Sequence, residues 1–127
     1  MANISIVTRA VITVCFMILL MALSIAPGRA QLDDTIFSWI VSRTPTTLQK
    51  MLHACLYGVL TLLWVWTLDA IYSKRYRLVI AVTVAISFGA AMEWYQTKVP
   101  GRFGTLVDVA FNAAGACLAA LGAIFLL

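Results

Sequence analysis

The side chains best suited to chemistry gather in two short stretches of an otherwise apolar chain. In the first stretch, Lys50, His53 and Tyr57 occupy positions i, i+3 and i+7, which places all three on one side of a helix. Lysine binds anionic groups, histidine titrates near neutral pH, and tyrosine donates and accepts a hydrogen bond. This face of the helix is therefore a candidate binding or acid–base site.

The second stretch runs from residue 93 to residue 115 and contains five further polar candidates. They are Glu93, Gln96, Arg102, Asp108 and Asn112. Glu93 and Gln96 are one helical turn apart near the end of one apolar run, and Asp108 and Asn112 are one turn apart at the start of the next. A charged group at the centre of a membrane helix costs roughly 2.5–3.5 kcal/mol on insertion scales, so these side chains need partners.

Three interpretations of this cluster remain open. It can be an ion-pair network that fixes helix packing, because Lys50 and Arg102 balance Glu93 and Asp108. It can be a head-group or ligand site in which Lys50 and Arg102 bind phosphate or carboxylate. It can also be catalytic, with His53 as general acid or base, oriented by Glu93 or Asp108, acting on a lipid-linked substrate. No nucleophile is evident.

Composition identifies the chain as an integral membrane protein. It has 127 residues, of which 63% are hydrophobic and only 11% charged. An ordinary soluble domain has about a quarter charged residues. The net charge of +4 comes from scattered basic residues, so the expected partners are membrane lipids or lipid-linked phosphate head groups rather than nucleic acid.

No metal or cofactor is expected. The three cysteines, Cys15, Cys55 and Cys117, lack metal-ligand spacing and are interpreted as small buried hydrophobic residues. One histidine with two carboxylates at unlinked positions is weak evidence for a metal site.

The apolar runs predict an all-α polytopic protein with a single domain over residues 1–127. Four transmembrane helices are expected at about residues 10–26, 48–68, 78–95 and 106–126. The first run also has features of a signal peptide, with Gly28 and Ala30 preceding a cleavage at Gln31, but its apolar core is longer than usual. A transmembrane helix is the preferred interpretation.

A short interfacial helix is expected after the first span. Leu32, Ile36 and Ile40 recur at i, i+4 and i+8 and form an apolar face typical of a helix lying on the membrane. An ordered loop with apolar anchors is the alternative. Residues 69–77 are expected to form a short loop between the second and third spans.

The fourth span carries small residues at helical spacing, among them Gly115, Ala119 and Gly122. Such residues let helices approach closely in lipid, either within the bundle or at a homo-oligomer or complex interface. For orientation, the dense basic group at residues 74–77 favours both termini in the cytoplasm, although the count over all loops slightly favours the reverse.

The polar residues, in this order and spacing, resemble the VanZ-like family of small bacterial membrane proteins. The stronger block reads Glu93-x-x-Gln96, Pro100-Gly101-Arg102 and Asp108-x-x-x-Asn112-x-x-Gly115. The weaker block reads Lys50-x-x-His53-x-x-x-Tyr57. Members commonly have an aspartate before the lysine, where this chain has Gln49, so this chain lacks the carboxylate that a mechanism using that aspartate needs.

The resemblance implies a location in the bacterial cytoplasmic (inner) membrane and a role in the cell envelope. The founding member is associated with low-level antibiotic resistance to the glycopeptide teicoplanin, which acts outside the cell on lipid-linked wall precursors. No established reaction comes with the family. A non-enzymatic accessory subunit of a larger membrane complex and a lipid-modifying enzyme using His53 are the alternative functions.

Overall fold

The computed structural model describes residues 4–25, 46–98 and 104–127, and these residues form four helices. The helices are α1 (Ile6–Ile25), α2 (Thr46–Leu68), α3 (Lys74–Gln96) and α4 (Leu106–Leu126). Each is long and apolar enough to cross a membrane. The described residues contain no strand. The predicted all-α fold with four transmembrane helices is confirmed.

Helix is the conformation that these apolar segments must adopt in a bilayer. Hydrocarbon offers no hydrogen-bond partners, so every backbone N–H and C=O has to be satisfied within the segment. The helices contain 20 to 23 residues, and at 1.5 Å rise per residue about 20 residues span the ~30 Å hydrocarbon core. Their length therefore follows from the thickness of the membrane.

Helices α2 and α3 form the centre of the bundle. Each of them contacts the other and also contacts both outer helices, whereas α1 and α4 do not touch each other within the described ranges. Helix α1 is joined to α2 by a buried hydrogen bond of 2.8 Å between the hydroxyl groups of Thr13 and Thr67. The remainder of α1 is largely exposed on the outside of the bundle.

The core contains residues from all four helices, and it combines large and small side chains. A buried cluster contains Leu20, Tyr57, Leu60, Ala85 and Ala116. Small residues bring α2 and α4 into backbone contact, because a Cβ atom at Gly115 would overlap the carbonyl oxygen of Ala54. Gly115 of the small-residue stripe on α4 therefore packs against α2 within the bundle.

The chain arrangement creates two faces. The site face comprises the helix ends at Ile25, Thr46, Gln96 and Leu106, and the terminal face comprises those at Ile6, Leu68, Lys74 and Leu126. The Nζ atom of Lys74 donates a 2.7 Å hydrogen bond to the carbonyl oxygen of Ile124, which ties the start of α3 to the end of α4. The start of α1 and the end of α4 therefore both lie at the terminal face.

Two predicted boundaries were wrong by about one turn. Helix α3 begins at Lys74 rather than Leu78, so the basic residues 74–77 form its first turn and only residues 69–73 connect the spans. Lysine and arginine are good helix formers, and Ser73 supplies an extended residue before the helix. Helix α1 begins at Ile6, four residues before the predicted start.

The prediction that the cysteines are buried was also wrong. Cys15, Cys55 and Cys117 are exposed on the outer surface of the bundle. A thiol behaves as a small apolar group, so lipid accommodates it as well as a protein core does. The predicted interfacial helix at Leu32–Val41 and the alternative cleavage at Gln31 lie outside the described residues.

Candidate functional site

The best-defined polar contact at the site face joins α2 to α3. The Nδ1 atom of His53 lies 3.9 Å from the Oε1 atom of Glu93. The Glu93 side chain is 5% exposed and that of His53 is 34% exposed. Of the two carboxylates predicted to orient His53, Glu93 is therefore the one that the described contacts place beside it.

The position of Glu93 is held by the segment that precedes α4. A Cβ atom at Gly104 would overlap the carbonyl oxygen of Glu93 and lie 3.2 Å from the Cγ2 atom of Thr97. Only a residue without a side chain allows the returning chain to approach α3 this closely. The contact brings the segment before α4 against the backbone of the last turn of α3.

A buried amide lies where α2, α3 and α4 meet. Asn112 is 1% exposed, and neither its Nδ2 nor its Oδ1 atom has a hydrogen-bond partner within the described chain. A Cβ atom at Gly89 would lie 3.0 Å from Cε1 of Tyr57 and 3.4 Å from both Cβ and Nδ2 of Asn112. Gly89 thus allows the Tyr57 ring and the Asn112 amide to occupy the same region of the core.

This amide is energetically unfavourable as it stands. Leaving a buried polar group without a hydrogen bond costs about 1–3 kcal/mol in protein mutational data. Asn112 carries two donor hydrogens and an acceptor oxygen, and Ala116, one turn later on α4, is fully buried and apolar. A molecule that supplied both an acceptor and a donor would satisfy it.

Lys50 lies on α2 close to the beginning of α4. Its Nζ atom is 5.9 Å from the centre of the Phe111 ring, at the limit of a cation–π contact. Within the described ranges it forms no ion pair with a carboxylate. Its positive charge is therefore not neutralised by the acidic residues described here, in contrast to the balanced network that one interpretation requires.

Asp108 participates in capping α4. Its Oδ2 atom accepts a 2.7 Å hydrogen bond from the hydroxyl of Thr105, and its backbone N–H donates to the same hydroxyl at 3.2 Å. The Thr-x-x-Asp spacing resembles the capping box, so the sequence did contain this signal. Asp108 thus has a structural role at this face, and none of the described contacts joins it to His53.

The remaining candidates differ in how far the structure describes them. Gln96 is buried one turn after Glu93 on α3. Arg102 lies outside the described residues, as does the Pro100-Gly101 turn. Among the described residues, no group of three histidine, cysteine or acidic side chains could hold a metal ion.

Gly89 and Thr105, like Gly104 above, were missed by the sequence interpretation. Gly89 gives room to Tyr57 and Asn112, and Thr105 caps α4. The Thr105 signal was readable from its spacing to Asp108, whereas the role of Gly89 depends on a contact between three helices and has no local signature. Both act by positioning the polar side chains.

The arrangement combines three chemical functions within one end of the bundle. A lysine can bind an anion, a partly exposed histidine beside a carboxylate can hold or transfer a proton, and a buried amide can form two or more hydrogen bonds. Together they suit a ligand with a charged portion and a neutral polar portion. Comparison of the chain with protein-family models, with curated proteins and with solved structures finds no match.

Proposed function

We propose that this protein is a VanZ-like membrane protein that binds the polar head group of an envelope lipid at the site face. The ligand class is a lipid-linked phosphate, with the phosphate near Lys50 and a neutral polar part of the molecule hydrogen-bonded to Asn112. His53 and Glu93 lie between the membrane surface and the core and contact the head group. Arg102 is expected from its sequence position to add a second positive charge.

The unpartnered amide of Asn112 is the observation that carries this proposal. A packing role alone gives no reason for an amide at this position, since an apolar side chain of similar volume would avoid the cost of burial. Asn112 lies in the second turn of α4, the helix that begins at the site face, so a head group that binds it has to enter between the helix ends. A hydroxyl or amide group of the ligand would form hydrogen bonds with Asn112 and so remove the free-energy cost of burying its amide.

The charge of Lys50 provides separate support. Lys50 is partly buried, and its ammonium group lies 5.9 Å from the centre of the Phe111 ring and lacks a described carboxylate partner. Contacts between a charged donor and a charged acceptor are about twice as strong as neutral hydrogen bonds, and phosphate is a strong acceptor for lysine. A lipid phosphate lies at the same depth as the end of a transmembrane helix.

The family assignment and its resistance role belong to the same proposal. What supports them is the motif that contains Glu93, Gln96, Asp108 and Asn112, together with the fact that these residues occupy neighbouring helix ends. If the site face is extracellular, the protein can affect teicoplanin susceptibility by binding lipid-linked wall precursors. The minimum inhibitory concentration of teicoplanin for cells that produce the protein tests this role directly.

Binding is tested with a polyprenyl phosphate added to the full-length protein in phosphatidylcholine nanodiscs, followed by native mass spectrometry. Lys50→Gln should weaken retention about tenfold or more, since a hydrogen bond to a charged group contributes about 1.5–3 kcal/mol. Asn112→Leu should also weaken retention while the protein stays folded. Thr61→Val is the matched control, because it removes a buried hydroxyl that already donates to the carbonyl oxygen of Tyr57.

Retention by the wild-type protein and Thr61→Val, with loss in both site variants, would support the head-group site. Equal retention by all four proteins would overturn it. Loss of folded protein in Lys50→Gln and Asn112→Leu alike would instead favour a network whose purpose is packing.

A lipid-modifying enzyme is the second candidate, and the His53–Glu93 pair favours it. A histidine beside a buried carboxylate is a common arrangement for general acid–base catalysis. Turnover of a lipid phosphate should then fall by a factor of about 100 or more in His53→Gln. Full turnover in that variant would remove His53 from the mechanism.

An accessory-subunit role is the third candidate, and it has one observation in its favour. A Cβ atom at Gly122 would meet no atom within 4 Å, so this glycine of α4 is not used for packing within the described chain. The exposed Leu118 and Leu121 flank it. Co-purification of another membrane protein at fixed stoichiometry after mild solubilisation would favour this role.

A further inference from the structure

A second group of charged residues lies at the terminal face, at the opposite end of the bundle from Lys50 and His53. Arg9 from α1 and Arg77 from α3 both pair with Asp69, which follows α2. The Nη1 atom of Arg9 lies 4.0 Å from Oδ2 of Asp69, and Nη1 of Arg77 contacts Oδ1. Two guanidinium groups therefore share one carboxylate.

The positive charge at this face exceeds the negative charge. Arg9, Lys74, Arg75 and Arg77 carry four positive charges against one negative charge on Asp69, a local net charge of +3 among the described residues. Lys74 donates to the carbonyl oxygen of Ile124 and so gains no anionic partner. The face thus has capacity for a further anion.

Asp69 does not bond to all the guanidinium N–H groups of Arg9 and Arg77. The Arg77 side chain is only 10% exposed, and its buried Nε atom has no hydrogen-bond partner within the described ranges. Arg9 is 18% exposed; its guanidinium lies 5.1 Å from the centre of the Trp66 ring, and Nη1 also donates to the carbonyl oxygen of Trp66. Both guanidinium groups are held in place by neighbouring helices before any ligand arrives.

The cluster lies at the helix ends, the level at which a bilayer presents its lipid phosphates. Tyr72 and Tyr76 are exposed next to it, and aromatic side chains of this kind favour the head-group level of a bilayer. Asp69 is 53% exposed, so the cluster opens toward the aqueous interface. Guanidinium groups bind phosphate oxygens through paired N–H donors more effectively than ammonium groups do.

We propose that the terminal face contains a phosphate-binding site formed by Arg9 and Arg77, with Asp69 as a competing internal anion and Lys74 and Arg75 as flanking charges. Its ligand is a phosphate ester or free phosphate, and the location at a helix end favours the phosphodiester of an anionic lipid. This site is separate from the one on the site face and does not depend on the function proposed for it.

The test uses the full-length protein in nanodiscs that contain phosphatidylglycerol and phosphatidylcholine, with the retained lipids counted by native mass spectrometry. The wild-type protein should retain phosphatidylglycerol preferentially. Arg9→Gln should lower that retention by about fivefold, the equivalent of one basic residue at an anionic surface. Lys98→Gln, which removes an exposed cation from the site face, should leave it unchanged.

Asp69→Asn tests the site in the opposite direction. Removing the carboxylate frees both guanidinium groups, so retention of phosphatidylglycerol should rise. The thermal unfolding midpoint of Asp69→Asn should also be higher in phosphatidylglycerol than in phosphatidylcholine. A folded Asp69→Asn protein with lowered retention would overturn the proposal. So would equal retention by the wild-type protein and Arg9→Gln.

Inorganic phosphate identifies the source of the ligand. One outcome is that millimolar phosphate displaces phosphatidylglycerol from the wild-type protein while the phosphatidylglycerol that Arg9→Gln still retains stays bound. In that case, free phosphate is a ligand of this site. If phosphate has no effect while the lipid is still lost in Arg9→Gln, the site recognises the lipid head group. Lys98→Gln should behave as wild type in both arms, because it removes a cation from the site face and leaves the terminal face unchanged.

Discussion

His53 and Glu93 form a pair in which the two side chains differ sharply in accessibility. Their closest atoms, Nδ1 and Oε1, are 3.9 Å apart, and Glu93 is almost completely covered while a third of His53 is exposed. This separation is longer than a direct hydrogen bond and is within the range of an ion pair. A ligand approaching the site face therefore meets the imidazole first, with the carboxylate behind it.

Chemical modification of His53 should report on ligand binding. It is the only histidine of the chain, so diethyl pyrocarbonate should modify a single imidazole. A polyprenyl phosphate bound at the site face covers this side chain and should slow modification several-fold. Mass spectrometry of the modified protein measures the rate, and an unchanged rate at saturating polyprenyl phosphate would contradict the proposed position of the head group.

Asn112→Leu should leave the protein at least as stable as the wild type. The amide has no described partner, so its replacement removes an unfavourable buried polar group worth about 1–3 kcal/mol. Thermal unfolding in detergent without added lipid measures the change. A strong decrease in the unfolding midpoint would indicate that the amide is satisfied within the protein and serves the packing of α2, α3 and α4.

Gly115→Ala should destabilise the bundle, whereas Gly122→Ala should have little effect. An added methyl group at Gly115 overlaps the backbone of Ala54, which cannot move without separating α2 from α4, and overpacking of this kind costs about 1–3 kcal/mol. At Gly122 the same methyl group meets open space. Denaturation of both variants in mixed micelles compares the two sites. Equal stability would show that α2 and α4 are not closely packed at Gly115.

If Gly122→Ala instead disrupts a complex without altering stability, the accessory-subunit role gains support. Crosslinking in native membranes before and after the substitution distinguishes this result from a change in folding.

Thr13→Val should loosen α1 from the other helices. The hydroxyl of Thr13 bonds to Thr67 between α1 and α2, and hydrogen bonds between membrane helices contribute on average about 0.6 kcal/mol and at most about 1.7. Protease sensitivity of the connection between α1 and α2, together with the unfolding midpoint, measures the effect. Thr83→Val is the control, because Thr83 is exposed on α3. The same change in both variants would contradict a specific role for the Thr13–Thr67 contact.

Orientation can be tested at Lys98 and Lys74, which are exposed at opposite faces. With both termini in the cytoplasm, a membrane-impermeant thiol reagent should label Lys98→Cys in intact cells and leave Lys74→Cys unlabelled. A cysteine-free background is required, because all three native cysteines face outward from the bundle. Labelling at position 74 alone would place the site face in the cytoplasm and remove the geometry that a role in teicoplanin susceptibility needs.

The sequence by itself determined the membrane class, the number of spans and the end of the bundle at which the polar residues gather. These follow from one-dimensional properties, since a bilayer requires apolar helices of about 20 residues and an even number of crossings returns the chain to the same face. The spacing of Lys50, His53 and Tyr57 likewise follows from helical periodicity alone. Helix α3 begins earlier than expected because Lys74 and Arg75 are good helix formers and occupy its first turn as readily as a loop.

Only the tertiary structure decided which of these polar residues meet. It placed Glu93 beside His53, joined Asp108 to Thr105, and left the Asn112 amide in the core next to Tyr57. It also brought Arg9, from the first helix, to the same carboxylate as Arg77. Periodicity gives the face that a side chain occupies on its own helix, but the rotation of one helix against another depends on close contacts such as Gly115 against Ala54, which no local pattern contains.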